Sequence, residues 1–421
     1  AKSRSFSIEV ENSSIRGADE RRDQGIGVRC IIDKKIGFAY VTSIEKEDVR
    51  DCVSRSVSLA RAAIEDPDFS TLPSMESRYP SISGLYDKEI ASLSSEEAAN
   101  LIVRVVDSTK ASLEKRNYAI AAGIQTSSSI SAVVNSLGVS ASGEKTLVSI
   151  YSYPTIKEGE EQTASYEYQV SRALSEIDPE HVGKTAAEMA VMYLNPRTSE
   201  GGEMPVVFAP LGVSTVLGSG FGGAVNAEEV QYGRSYISDA IGDQIASEAL
   251  EITDNGVLPG GMGSRSYDAE GVPSQKTPIL EDGVLKSLLH NSFTANKEDA
   301  DNTANASRPS YSGVPGISPS NFIVTPGKGD LDDLVSEIER GVLCRNTADR
   351  PNMTTGELSA MIMEGFYIEN GEMVHPLKNT LIGINMLDLL KRVNNVGSDV
   401  RTTFTMVTPS LVIEKAMITS G

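Results

Sequence analysis

Cysteine and histidine are scarce in this chain, with three of each in 421 residues. Cys30, Cys52 and Cys344 are too few, and odd in number, for a disulfide framework, so a reducing compartment is expected, with the cytoplasm as the default. His181, His290 and His375 lie too far apart for two of them to share one helix face. No H-E-x-x-H run occurs, and the cysteines show no zinc-ligand spacing. Basic residues are outnumbered too: Lys and Arg total 38 against 58 Asp and Glu, a formal net charge of −20. That field repels phosphate backbones and anionic headgroups, and no basic patch overrides it, so neither nucleic acid nor membrane is expected as a partner. No apolar run approaches the roughly 18 residues that cross a bilayer, and Ala1-Lys2-Ser3-Arg4-Ser5 opens without the apolar core of a secretory signal. What remains is ordinary globular composition, 39% hydrophobic and 23% charged. At about 150 residues per domain the chain has room for two or three units.

Period-two alternation marks strands at Phe6, Ile8 and Val10, at Ile26 to Ile32 and at Ile36 to Tyr40, the last two joined through Asp33-Lys34-Lys35. These predict a small antiparallel sheet. From Glu45 the spacing becomes helical through Val49, Val53, Val57, Ala60 and Ile64, with Thr42 or Ser43 as the cap and Asp66-Pro67 as the stop. Residues 66 to 92 read as an irregular connection. Ser94-Ser95-Glu96-Glu97 is a capping-box pattern that opens a helix burying Ala98, Leu101, Ile102, Val105 and Val106. Residues 118 to 175 read as sheet with turns at Asn135 to Gly138 and at Ser142-Gly143-Glu144, and Asp178-Pro179 opens a helix that ends at Asn195-Pro196.

The polar, Gly-rich run Arg197 to Glu203 predicts the main linker. Pro205 to Ala209 reads as a buried strand, and 211 to 250 as mainly helical but Gly-interrupted. Asp282-Gly283 and Asn370-Gly371 predict two-residue hairpins. Residues 295 to 320 read as a long mobile loop, and Leu331 to Gly341 as a helix. The expected fold is therefore α+β in two domains: 1–195, with antiparallel sheets and packed helices in subsegments 1–70 and 92–195, and 196–421, mostly β with a few helices.

Catalytic patterns are largely missing. Gly218-Ser219-Gly220-Phe221-Gly222-Gly223 satisfies G-x-G-x-x-G, but Val213 to Leu217 before it reads as helix, not strand, which favours close helix packing over dinucleotide binding. No G-x-S-x-G elbow exists. His290, at the end of an expected strand, reads as a structural histidine, and the pairs Glu228-Glu229, Glu281-Asp282 and Asp332-Asp333 as caps or solvated charge.

Several ordered motifs resemble one family. Asp254-Asn255-Gly256-Val257-Leu258-Pro259-Gly260, Asp268-Ala269-Glu270-Gly271-Val272-Pro273-Ser274-Gln275-Lys276-Thr277 and Ile279 to Lys286 are similar to segments of the TldD/PmbA family, the modulators of DNA gyrase. Gly365 to Glu372, Pro376-Leu377-Lys378, Gly383 and Val396 to Asp399 resemble its carboxyl-terminal signature, and Asp23 to Arg29 with Gly37 to Tyr40 its first domain. The helix and strand that precede those motifs in the family are expected to be missing or shortened before residue 1.

The resemblance implies specific chemistry. TldD-type chains of this family are metallopeptidases in which H-E-x-x-x-H on a helix, with a cysteine near the carboxyl terminus, holds zinc while the glutamate activates water; zinc lowers the pKa of that water and polarises the peptide carbonyl. Counted back from Ile241 to Gln244, the motif falls on residues 218–223, where Gly218 and Gly223 stand at the histidine positions and Ser219 at the glutamate. Phe404 to Pro409 contains no cysteine. The pattern resembles the PmbA/TldE branch, which implies a non-catalytic subunit without its own cofactor, paired with a zinc-bearing TldD-type partner and acting on unfolded peptides, whose backbone this subunit would bind by strand addition. Two other readings stand beside it: a homodimeric binding or scaffold protein, and an autonomous metallopeptidase with a non-standard site.

Overall fold

The computed structural model describes residues 1–74 and 78–421, and the fold is α+β. Its amino-terminal part is built on a long ribbon in which Asn117–Val134 pairs antiparallel with Ser140–Glu158 along its whole length. The turn between them forms because the Asn135 side-chain oxygen accepts the backbone N–H groups of Leu137 and Val139, and Gly138 takes a φ of 96°. Lys2–Glu11 adds to the ribbon with Ile8 opposite Ile124 and Val10 opposite Ala122. Their alternation buries one face under two helices, Ser95–Leu113 and Pro179–Met192.

Both helices begin as their sequences direct. Ser94 Oγ accepts the Glu97 N–H while the Glu97 carboxylate returns to the Ser94 N–H at 2.9 Å, and the Asp178 side chain caps the His181 N–H at 3.0 Å. The helices touch at Gly183. A Cβ there would stand 2.3 Å from the Val105 carbonyl oxygen, so only glycine permits the approach.

Ile26–Ile32 and Lys35–Val41 form a separate hairpin around Asp33 and Lys34, whose φ values of 51° and 61° match a primed turn. Helix Lys46–Ala62 lies on it, with Ser56 Oγ donating towards the Val28 and Gly37 carbonyls at 3.1 Å. The single opening sheet expected from alternation is therefore two. Residues 2–11 leave the hairpin because their apolar face finds Ile124 and Ala122. Ser14–Gln24 is an edge strand with every residue exposed, so no burial pattern announced it. Helix Lys46–Ala62 starts at Glu45 without a side-chain cap; Ser43 Oγ instead accepts the Glu45 N–H. Ser142-Gly143-Glu144 makes no turn but continues its strand opposite Ala132, Ser131 and Ile130, since the Asn135 turn has already reversed the chain.

Beyond residue 200 an eight-stranded sheet is centred on Gly202–Phe208, which runs parallel to Arg340–Asn346 and antiparallel to Leu411–Ser420. A six-stranded sheet carries Ile252–Asn255, Lys276–Glu281, Phe322–Val324, Arg401–Thr403 and Met406–Thr408. Both expected two-residue hairpins form, with positive φ at Asp282, Gly283, Asn370 and Gly371. The helix expected over 331–341 ends at Ser336, because Gly341 to Cys344 are claimed by the sheet interior. Helical structure in 211–250 stops at Gln231, and the remainder is held by turns. Residues 295–320 are not a free loop: helix Ser292–Glu298 enters it, Ala306–Ser307 pairs with Gly316–Ile317, and Thr303 to Ala306 are buried. Of the Asn residues that suggested mobility, Asn302 donates to Ser292 Oγ at 3.0 Å and Asn305 to the Asp254 carboxylate at 2.7 Å. Among the described residues no helix is long and apolar enough to cross a membrane.

Candidate functional site

Residues 210–224 form one helix between the two carboxyl-terminal sheets. Pro210 occupies its first turn, Val213, Leu217, Phe221 and Ala224 point into the core, and Val216–Phe221 widens into a π-helical turn. Such turns are uncommon and concentrate at functional sites. Gly218, Gly220, Gly222 and Gly223 give this stretch little helical propensity of its own, so its neighbours hold it. Phe221 meets Phe322 edge-on at 6.1 Å, and Ser219 Oγ donates back to the Thr215 carbonyl at 2.5 Å. Thioethers fill the space beside the glycines: a Cβ at Gly218 would stand 3.1 Å from Met406 Sδ, at Gly220 3.0 Å from Met386 Cε, and at Gly223 3.2 Å from Met353 Cε. Met406 belongs to the 401–408 hairpin, which is fastened to the helix start by a Thr403 to Ser214 hydroxyl contact of 2.5 Å and by Thr408 Oγ1 donating to the Pro210 carbonyl at 2.9 Å.

Over this helix lies a cavity of about 310 Å³, lined by Gly218, Ser219, Gly222, Gly223, Asn226, Leu289, Ile317, Ser318, Pro319 and Arg350. The donors do not fit a zinc ion. Two glycines offer no ligand atom, Ser219 is engaged with its own helix, and the nearest sulfur is a methionine thioether, whereas zinc takes thiolate, imidazole or carboxylate. Among the described residues no group of three or more His, Cys, Asp or Glu is placed to hold a metal.

The three histidines sit apart. His181 is exposed on its helix, and His375 stacks on Tyr367 at 5.4 Å. His290 is buried with Nδ1 3.2 Å from Thr294 Oγ1, beside a second cavity of about 500 Å³, and burial lowers its pKa. The Cys344 thiol is pushed up to about 12 by burial, which removes it as a nucleophile at neutral pH. Of the acid pairs, Glu229 binds Arg234, Asp332 and Asp333 occupy a first helical turn, and Asp282 makes its hairpin turn.

The motif runs at 254–277 form a buried polar frame instead of a reactive centre. Asp254 accepts the Ser320 N–H and the Asn305 side-chain amide, both at 2.7 Å, and Asp268 accepts the backbone N–H groups of Glu270, Val272 and Ala306. Burial pushes both carboxyls up to about 6.

One cluster escaped sequence reasoning. Glu167 receives Arg345 Nη2 at 3.3 Å and Arg401 Nη1 at 3.1 Å, while Glu364 receives Arg345 and, at 2.7 Å, Ser165 Oγ. Tyr166, Tyr168 and Phe404 stack alongside at 6.1 and 6.3 Å. Arg401 and Met406 share a hairpin, so the network joins the amino-terminal sheet to the methionine packed against Gly218. Its members are up to 234 residues apart, and no local signal relates them.

Family models match residues 1–60 as PmbA/TldA metallopeptidase domain 1, 88–194 as the central domain and 201–420 as the C-terminal domain. The chain belongs to the PmbA/TldD family. The metalloprotease TldD homologue of Buchnera aphidicola subsp. Acyrthosiphon pisum is 27% identical over 406 residues, 93% of this chain and 83% of that protein. The metalloprotease PmbA homologue of Haemophilus influenzae is 25% identical over 432 residues, 99% of this chain and 90% of that one. The structure of TldE from Thermococcus kodakarensis shares the fold with a TM-score of 0.90 at 24% identity, covering 100% of this chain and 95% of that chain. PmbA/TldD relatives of both names thus lie at comparable identity, and the fold is common to the family.

Proposed function

We propose that this chain is the PmbA/TldE-type subunit of a TldD/TldE-type zinc metalloprotease acting on unfolded peptides, with the catalytic zinc in a TldD-type partner and none in this chain. One observation carries the reading: at the positions matched to the family's metal motif stand Gly218, Ser219 and Gly223, with Met406 and Met353 packed against the glycines. A helix stripped of imidazole and carboxylate, with apolar thioethers around it, has neither a metal ligand nor a base for water. Identity to TldD-named and PmbA-named relatives does not choose between the branches; the donor set supports the PmbA/TldE reading. The part played on substrate would be to receive extended peptide. In support, the eight-stranded sheet ends on Glu357–Met361, whose outer side carries no further strand among the described residues. In this division, residues 196–421 carry the site and residues 1–195 brace it through Glu167.

The test is cleavage of an unfolded peptide by this chain alone, by a TldD-type subunit from the same source, and by both together, with chelator controls. Cleavage by the pair that exceeds the partner's own supports the reading. Chelator-sensitive cleavage by the isolated chain establishes an autonomous metallopeptidase and overturns it. An unchanged rate on mixing leaves a binding or scaffold protein.

A further inference from the structure

We propose that the cavity over residues 218–223 is a carboxylate-binding subsite, with Arg350 receiving the charge of a peptide carboxylate; this rests on the reading of the chain as a peptide-handling subunit. In a chain of net charge −20 the cavity lining contains no Asp or Glu, and Arg350 is its only charged residue. Arginines elsewhere in the carboxyl-terminal half are committed: Arg234 to Glu229, Arg345 to Glu364 and Arg401 to Glu167. Arg350 makes no ion pair or side-chain hydrogen bond among the described residues. Guanidinium is the side chain best matched to a carboxylate, in two parallel N–H···O bonds.

Two of the other polar side chains in the lining also keep a donor, while Ser219 is spent on the Thr215 carbonyl. The Asn226 oxygen is used by the Glu228 N–H, which leaves its amide nitrogen, and the Ser318 hydroxyl has no partner among the described residues. The floor is bare backbone: a Cβ on Gly222 would meet only Pro319 Cγ at 3.5 Å and the Leu217 carbonyl at 3.6 Å, so the glycine exposes the helix to an occupant. A volume of about 310 Å³ lies at the lower end of ligand pockets and suits one or two residues of an extended chain. Arg350 stands in the loop before the edge strand Glu357–Met361, where the Asn352 N–H donates to the Glu357 carbonyl at 2.9 Å and Asp349 accepts the Met361 N–H at 2.7 Å, so the loop that carries Arg350 is fixed to that edge beside the cavity.

The experiment uses the isolated full chain and a labelled, unstructured peptide without acidic side chains, read by fluorescence anisotropy. Three forms are compared: free carboxyl terminus, carboxyl-terminal amide, and an amide carrying one internal Glu. A preference of about tenfold for a carboxylate-bearing form over the plain amide is expected, the size of one charge-assisted hydrogen-bonded pair. The first form alone showing it identifies a chain terminus, and the third showing it identifies an acidic side chain. Arg350→Gln, an exposed substitution, removes the preference, and Gly222→Leu, which fills the cavity, abolishes binding with the circular dichroism unchanged. Equal binding of all three forms, or a preference that survives Arg350→Gln, overturns the proposal. Because no partner subunit is present, the outcome separates from that of the accessory-subunit reading: an Arg350-dependent preference without stimulated cleavage retains the site and rejects that role, and the converse rejects the site alone.

Discussion

Helix Ser95–Leu113 and the helix of residues 210–224 are stabilised in opposite ways. The first has a complete capping box, a regular buried stripe through Ala98, Ile102, Val105, Val106 and Leu113, and a glycine only on the helix it packs against. The second has no side-chain cap, four glycines in six residues and a π turn, and it persists because Phe322 and three methionines surround it. Local preference and global fold agree in the scaffold helix; in the site helix the fold overrides preference, which is where functional positions are expected. The comparison also locates the dependence: the site helix is held by the 401–408 hairpin, and that hairpin by Glu167 of the amino-terminal sheet.

The sharpest way to break the arrangement is Glu167→Ala. It leaves Arg345 and Arg401 without a shared carboxylate in a buried setting, and a loss of about 3–5 kcal/mol is expected. Denaturant unfolding checks this, and the site helix should lose amide protection before helix Ser95–Leu113 does; equal loss in both helices would refute the proposed bracing. Glycine substitutions then separate the two environments by sign. Gly183→Ala drives a methyl against the Val105 carbonyl and should cost about 1–3 kcal/mol. Gly222→Ala meets only ordinary contacts and should be neutral or stabilising by up to about 1 kcal/mol through helix propensity.

The buried frame behind the site supplies a pH dependence. Asp254 and Asp268 titrate near 6 when folded against 3.8 as the ordinary value, so the native state binds more protons in that window. Their burial therefore costs stability above about pH 6, and that cost disappears as pH falls towards 4. Between pH 7 and pH 5 the frame should gain about 2–3 kcal/mol from the two groups together. Hydrogen exchange at residues 305–321 measures it, and an Asp254→Asn variant with an unaltered pH slope would contradict the assignment. The smallest effect belongs to Ser94→Ala, about 1 kcal/mol from the lost cap, with the site helix untouched.

Legibility in the sequence follows the range of the interaction. The Ser94 capping box, the Asp178 cap, the Asp33-Lys34 turn and the Asn370-Gly371 turn were readable because their partners lie within four residues. The exposed strand Ser14–Gln24 was not, since an edge strand in solvent carries no apolar alternation. Residues 295–320 misled because Asn and Ser serve equally in mobile loops and in buried hydrogen-bonded ones, and only the partner, here Asp254, distinguishes them. At the site, the reading that Gly218, Ser219 and Gly223 stand at the family's histidine and glutamate positions came from resemblance alone, whereas the methionines against them and an Arg350 with no partner among the described residues were not visible at all.

By itself the sequence determined the class of the fold, the main helices and hairpins, and a run from 218 to 223 that holds neither imidazole nor carboxylate, because propensity, capping and residue identity are properties of short segments. Tertiary structure alone decided that Met406 covers Gly218, that Glu167 braces the hairpin behind it, and that Arg350 lies beside a cavity with no counter-charge among the described residues. Those facts depend on which distant segments share a sheet, and strand pairing across hundreds of residues is set by the burial of whole faces, which no local pattern records.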